Sequence, residues 1–281
     1  MTPAPETIRV GCYQLAPIIA HPSYNLDRCR VAIAEAAGRG AQLLVLPELA
    51  QSGYAFYDRE EALALSETRD GPTLQAWAQL AAQHHIIVVG GFCERLADGQ
   101  VANSSVMIEP NGRRTFYRKV HLWDRETQIF TPGCEPPPVV DTHLGRIGMM
   151  ICYDLEFPEW VRLVALRGAQ LLCAPVNWPL TSRPGFQRPP EVIRVQANAS
   201  VNRLFVIACD RCGEERGVNW VGGSTLTDAD GYVLKGGKSV DRKQLLLADI
   251  EPGQALNKQI SSNNHVLNDR RPALYHALLH V

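Results

Sequence analysis

Residues 146–167 read RIGMMICYDLEFPEWVRLVALR, a short apolar run that ends in a cysteine and continues as an amphipathic segment. Ile147, Met149, Met150 and Ile151 form a brief buried-strand pattern, and Trp160, Leu163, Val164 and Arg167 then recur at helical spacing up to Gly168. Pro158 suits a first helical turn, where its missing N–H costs little. The spacing places Cys152 at a strand-to-helix corner, on a rigid turn at the edge of a sheet. N–H groups at the start of a helix favour a thiolate and can bind a developing oxyanion. A cysteine among apolar neighbours is more often a packing residue, so the corner alone makes Cys152 a candidate nucleophile and no more.

The alternation of strand and helix patterns continues in both directions and defines an α/β chain. Upstream, 8–15, 42–46, 86–93, 101–108 and 113–120 read as strands, with helices over 25–38 and 73–84. Pro110-Asn111-Gly112 is a tight-turn signal, so 101–108 and 113–120 are expected to pair antiparallel. Downstream, strands are expected at 170–176, 204–209, 221–226, 232–234 and 245–250, with a helix over 191–200. The loop 121–138 reads as structureless, and loops of that length tend to be functional.

Two further strand ends carry chemistry. The strand 42–46 runs into Pro47-Glu48, and Lys119 closes the strand 113–120. Alone, Glu48 reads as a solvated loop residue and Lys119 as an edge-protecting cation. Open α/β sheets bring such strand ends to one rim, where ligands bind. A thiol with an ordinary pKa of roughly 8.5 needs a base or a cation beside it to act as a nucleophile. Glu48 can take its proton, and Lys119 can stabilise a thiolate or an oxyanion.

Composition narrows the classes further. The chain has 28 basic and 29 acidic residues, a net charge of −1, which points to neither nucleic acid nor an anionic membrane as a partner. The start, MTPAPETIRVGCYQLAP, lacks a leader pattern, and no apolar run is long enough to span a bilayer. The eight cysteines lie mostly inside apolar segments, as reduced thiols do, and a cytoplasmic protein is expected. No linker interrupts the chain, so 1–281 is expected to form one domain, with 252–281 a polar tail that docks on the domain or on a partner subunit.

Other chemistries fit less well. Cys209 and Cys212 form a CxxC without a second pair or a nearby His pair to complete a zinc site. His276 and His280 are four apart, with no third ligand evident. His121 and His143 have no recognisable orienting partner for a Cys-His hydrolase. Gly236-Gly237-Lys238-Ser239 fails as a phosphate loop, because the required first glycine is Tyr232. No cofactor and no metal is implied.

Three segments, LLVLPELAQSGY (43–54), YRKVHLWDRETQIFTPG (117–133) and GMMICYDLEFPEWVR (148–162), resemble the signature blocks of the nitrilase superfamily, the carbon–nitrogen hydrolases. Asn177-Trp178-Pro179 and the late Asp269-Arg270-Arg271-Pro272 extend the similarity through most of the chain. The resemblance implies a four-layer α-β-β-α sandwich and a Glu/Lys/Cys triad: Glu48 as general base, Lys119 as stabiliser of the tetrahedral intermediate and Cys152 as nucleophile. It also implies that Glu126, seven residues after Lys119 and before Phe130-Thr131-Pro132-Gly133, holds the substrate amide and assists the lysine or the base.

Tyr153-Asp154 after the nucleophile look like the amidase and carbamoylase branches, whereas nitrile-cleaving members typically carry Trp-Glu there. The implied reaction is hydrolysis of a small primary amide to the acid and ammonia through a thioester, with an N-carbamoyl amine or acid as the first alternative, a nitrile as the next, and a catalytically inactive binding module as the non-enzyme alternative. The acyl pocket is expected to draw on Tyr54, Trp123, Tyr153, Asn177 and Trp178. Arg183, Arg188, Glu156 and Asp124 are charges that a substrate of opposite sign could meet. The resemblance further implies a homodimer or higher homo-oligomer.

Overall fold

The computed structural model describes residues 6–182 and 188–279. In chain order the main elements are β1 (Ile8–Gln14), α1 (Pro22–Gly38), β2 (Leu43–Val45), α2 (Arg59–Leu65), α3 (Pro72–His84), β3 (Ile87–Arg95), β4 (Val101–Ile108), β5 (Arg114–Arg118) and α4 (Glu126–Ile129). They continue as β6 (Val139–Thr142), β7 (Gly145–Met149), α5 (Pro158–Leu166), β8 (Leu171–Pro175), α6 (Pro190–Asn202) and β9 (Phe205–Cys209). The last are the hairpin β10 (Glu214–Glu215) and β11 (Val218–Asn219), then β12 (Thr225–Thr227), β13 (Val233–Gly236) and β14 (Gln244–Ile250).

Two six-stranded sheets are formed, one in the order β14-β1-β2-β3-β4-β5 and the other β13-β12-β9-β8-β7-β6. Each has a parallel centre, β1-β2-β3 and β7-β8-β9, and antiparallel flanks. Strand alternation explains the layering. Leu43, Val45, Ile87 and Val89 point between the sheets and join one core with Met149, Leu171, Cys173 and Ile207. Leu44, Leu46 and Val88 point the other way, onto Ala32, Ile33, Leu74 and Trp77 of α1 and α3. Val161, Val164, Val192 and Val195 of α5 and α6 cover the second sheet. The result is the expected α-β-β-α sandwich.

Proline stands in the first turn of α1, α3, α5 and α6, where its preset φ helps and its lost donor does not matter. The structure departs from the sequence expectations in several places, α2, β6 and the β10–β11 hairpin being elements that the spacing does not predict. Residues 221–224 lie outside a strand, and only Thr225–Thr227 pairs. The loop after Lys119 contains the single helical turn α4. The corner at Cys152 does not enter the α-helix directly: a 3-10 turn, Cys152–Glu156, comes first, because Pro158 fixes the helical start six residues on. The end of the tail carries two 3-10 turns, Pro272–Leu274 and His276–Leu279. His280 and Arg183 lie outside the described residues.

The topology sets the rim. β5 is antiparallel to β4, which is antiparallel to β3, so β5 runs with β2 and β3 and its end meets theirs. In the second sheet β7, β8 and β9 are parallel and also finish together.

Candidate active site

After β2 the chain turns sharply over β3. Gly91 donates its N–H to Pro47 O at 3.0 Å and accepts from Ala50 at 2.9 Å. A Cβ at Gly91 would stand 2.4 Å from Leu49 N and 2.6 Å from the Glu48 Cα, so only glycine lets the turn lie this close. Leu49 adopts φ 48°, a left-handed conformation that strains a leucine, and the pinned turn aims Glu48 into the interior. Lys119 continues the β4–β5 pairing by one residue, with its N–H on Asn103 O at 2.9 Å. Both side chains are fully buried.

The carboxylates and the cation meet directly. Lys119 Nζ donates to Glu48 Oε1 at 2.7 Å and to Glu126 Oε1 at 2.8 Å. An ammonium has three N–H donors, so one remains for another acceptor. Glu126 also accepts from Tyr54 Oη at 2.6 Å and from the Trp123 N–H at 3.0 Å. Asn103 Nδ2 sits between the acids, 2.7 Å from Glu48 Oε1 and 3.4 Å from Glu126 Oε1. Glu48 Oε2 is buried and has no hydrogen-bond partner among the described residues.

Cys152 reaches the same place from the other sheet. It holds φ 46° at the end of β7 and is 7% exposed. Its corner is fixed from below, where Asp154 Oδ2 accepts from the Ile151 N–H at 3.0 Å while the Asp154 N–H returns to Ile151 O at 3.0 Å. Asn177, just past β8, ties the two rims together: its Nδ2 donates to Glu48 O at 2.9 Å, and its carbonyl lies 3.6 Å from Cys152 Sγ.

Burial decides the charge states. It pushes the Glu48 carboxyl up to about 7, with Glu126 adding to the rise and Lys119 and Asn103 opposing it. Burial works against the Lys119 charge too, but Glu126 and Glu48 outweigh it and hold the ammonium above its usual range. Burial and the charge of Glu48 lift the Cys152 thiol well above its ordinary value, against the pull of Lys119. This environment disfavours a preformed thiolate at Cys152. Such a group of nucleophile, base and cation can carry out acyl transfer.

Of the residues expected to form the acyl pocket, Tyr54 and Trp123 line a cleft of about 400 Å³ together with Glu126. Tyr153 packs edge-on against Trp123, ring centres 4.9 Å apart. Asn177 and Trp178 are buried and do not line the cleft; the Trp178 N–H is bound to Asp210 Oδ1 at 3.0 Å. Of the candidate charges, Glu156 pairs with Arg194, Arg188 bonds Gln196, and Asp124 stands at the mouth of the cleft.

Several residues at this site gave no signal in the sequence. Asn103 lies within a buried strand. His121, read as lacking an orienting partner, has one: Asp154 Oδ1 is 2.7 Å from its Nδ1, and Tyr117 Oη donates to the same carboxylate at 2.8 Å. The 33 positions between His121 and Asp154 hide that pairing. Arg211 and Glu215 form an ion pair at 2.9 Å with exposures of 1% and 2%, and Glu215 accepts from the N–H groups of Tyr54 and Ala55, both at 2.8 Å. Arg211 lies just before the β10–β11 hairpin and Glu215 within it, and together they anchor the Tyr54 backbone.

With this sandwich and this rim, the chain belongs to the carbon–nitrogen hydrolase family and is a hydrolase; the family model matches residues 9–256. A protein named nitrilase from Pyrococcus abyssi is 33% identical over 270 residues, 95% of this chain and 99% of that one. An (R)-stereoselective amidase from Pseudomonas sp is 35% identical over 228 residues, 81% of this chain and 80% of the relative. The crystal structure of an amidase from Nesterenkonia sp. superposes with a TM-score of 0.77 at 27% identity, covering 96% of each chain. A glutamate-to-glutamine variant of that amidase shows covalent addition of the acetamide moiety of fluoroacetamide at its active-site cysteine, with 28% identity, a TM-score of 0.76 and 96% of both chains covered.

Proposed function

We propose that the chain hydrolyses a small primary amide to a carboxylic acid and ammonia through a thioester on Cys152. The observation that carries this reading is the juxtaposition at one buried rim of Lys119, bonded to both Glu48 and Glu126, with the thiol of Cys152. The amidases among the relatives and solved structures support it.

In the proposed first step, Cys152 Sγ attacks the amide carbon while its proton passes to Glu48 Oε2, the oxygen without a partner. The oxyanion is met by the free third N–H of Lys119 and by the Tyr153 N–H, a first-turn donor without an intrahelical acceptor. Glu48 then gives the proton to the departing nitrogen, the C–N bond breaks, ammonia leaves and the thioester remains. Water attacks the thioester carbon as Glu48 removes its proton, and collapse returns the acid and the Cys152 thiol. Glu126, fixed by Tyr54 Oη and the Trp123 N–H, orients Lys119 and the amide NH2.

The base sets a pH limb. A Glu48 carboxyl raised to about 7 is protonated below that pH, so kcat/KM is expected to fall tenfold per unit as pH drops beneath about 7. Asn103 favours the ionised form, so Asn103→Ala should move that limb to higher pH. A rate profile flat from pH 5 to 8 in the parent enzyme would remove Glu48 as the base.

We infer a homo-oligomer on different grounds. Leu166 of α5 and Ile193 and Val201 of α6 are exposed on the outer face of the sandwich, and Leu274 and Leu278 are exposed in the tail. Apolar groups gathered on one face mark an interaction surface. Light scattering is expected to give at least twice the 31.1 kDa chain mass; a single-chain mass at working concentration would contradict it. The reading takes 1–281 as one domain. The eight unpaired cysteines, seven of them buried, support a reducing, cytoplasmic setting. Among the described residues no helix is long and apolar enough to cross a membrane.

A further inference from the structure

The cleft beside Glu126 carries information about the substrate that the reacting groups do not. Its walls are Tyr54, Tyr57, Trp123, Phe130, Val218 and Trp220, five of them aromatic. At about 400 Å³ it falls in the ~300–1,000 Å³ range of small-molecule sites. It meets the reacting group through Glu126, which lines it and is bonded to Lys119. Trp123 packs on Tyr153, the residue after Cys152, and Pro179 in the wall is two residues past Asn177, whose carbonyl touches Sγ. We infer that an amide seated at Cys152 and Lys119 extends its carbon skeleton past Glu126 into this cleft.

Two of the charges around the cleft, Arg216 and Glu126, are paired, and the other two, Asp124 and Arg125, are exposed. Arg216 is held bidentate by Glu61, at 2.6 and 2.7 Å, bonds Ala55 O, and lies over the Tyr57 ring at 3.7 Å. Arg125 donates to Tyr57 O at 2.7 Å. Glu126 is committed to Lys119, Tyr54 and Trp123. Asp124 is at the exposed mouth. The faces of Tyr57 and Trp220 are already met by Arg216 and Arg211, so they do not form a cage for an ammonium. Arg125 and Asp124 have no ion-pair partner among the described residues but are exposed, where water screens them, so a carboxylate or ammonium carried onto the aromatic walls would lose water without a buried counter-charge, which is unfavourable. An apolar ring would gain contact with aromatic walls.

We propose that this cleft selects a neutral substrate, a primary amide whose carbon skeleton carries an aryl or similarly bulky apolar group, over amides with a terminal carboxylate or amine. This rests on the amidase reading above. The test compares kcat/KM for 3-phenylpropanamide, propanamide, glutaramate (the half-amide anion) and 5-aminopentanamide on the purified chain, together with acylation of Cys152 by mass spectrometry. The expected result is at least a tenfold preference for the phenyl amide over each of the others, within the range apolar pockets provide. Val218→Asp, which puts a carboxylate in the wall, is expected to bring the phenyl-to-propanamide ratio near one. Equal rates, or a preference for either charged amide, overturn the inference and leave the amidase reading intact. Absence of turnover and of acyl-Cys152 with all four overturns both. The substrate comparison uses the parent chain, so it decides even if the variant does not fold.

Discussion

Replacing Cys152 by alanine is expected to lower kcat/KM for a primary amide by ~10⁴-fold or more, since loss of a nucleophile removes the whole covalent route. The fold should survive. Cys152 is a small side chain at a corner secured by other atoms: Asp154 holds Ile151, and Asn177 ties Glu48 to the rim. The thermal midpoint should shift by no more than ~2–4 °C, the change that about 1 kcal/mol produces in a chain of this size. Retained turnover with the fold intact would remove Cys152 from the reaction. Loss of turnover with a collapsed fold would mark it as a packing residue.

Lys119→Met is expected to affect both activity and stability. It removes the donor proposed for the oxyanion, for which a loss of ~10²–10³ in kcat is usual. It also leaves Glu48 and Glu126 buried against each other without their shared cation. Breaking a buried pair by removing one partner typically destabilises by ~3–5 kcal/mol. The same variant with Glu48→Gln and Glu126→Gln should recover much of that stability, because amides need no counter-charge, and should recover none of the activity. Urea melts and amide kinetics on the single and triple variants separate the two effects. If the single variant is as stable as the parent, Lys119 is not the counter-ion that the geometry requires.

How far the sequence could go is clear from particular residues. Glu48 and Cys152 are legible because each follows a strand whose apolar run is plain, and Lys119 because the Pro110-Asn111-Gly112 turn marks the strand RTFYR before it; strands that run the same way finish at a common rim. The two-sheet layering followed from the family resemblance rather than from periodicity, since strands buried on both faces, such as Leu43–Val45, show no alternation. Asn103 was not legible, because a polar residue in a strand gains meaning only when the neighbouring elements deliver Glu48 and Glu126 to it. The Asp154–His121–Tyr117 cluster and the Arg211–Glu215 pair depend on contacts between distant segments or on burial of a loop, and local spacing encodes neither.

One electrostatic point was sharpened by the structure. At the sequence level a helix start beside Cys152 suggested a stabilised thiolate. The thiol is instead buried near a carboxylate and pushed up, which disfavours a thiolate formed before the attack. In the proposed mechanism the thiol proton passes to Glu48 Oε2, which has no hydrogen-bond partner among the described residues.

The most direct measurement is acid quenching during turnover of a slowly hydrolysed amide, followed by intact-mass and peptide analysis. The account predicts that the acyl group, without the amide nitrogen, is found on the peptide containing Cys152, disappears on chase with buffer, and is absent in Cys152→Ala. Steady turnover with Cys152 unmodified at every quench time, or an acyl group on a different residue, would contradict it.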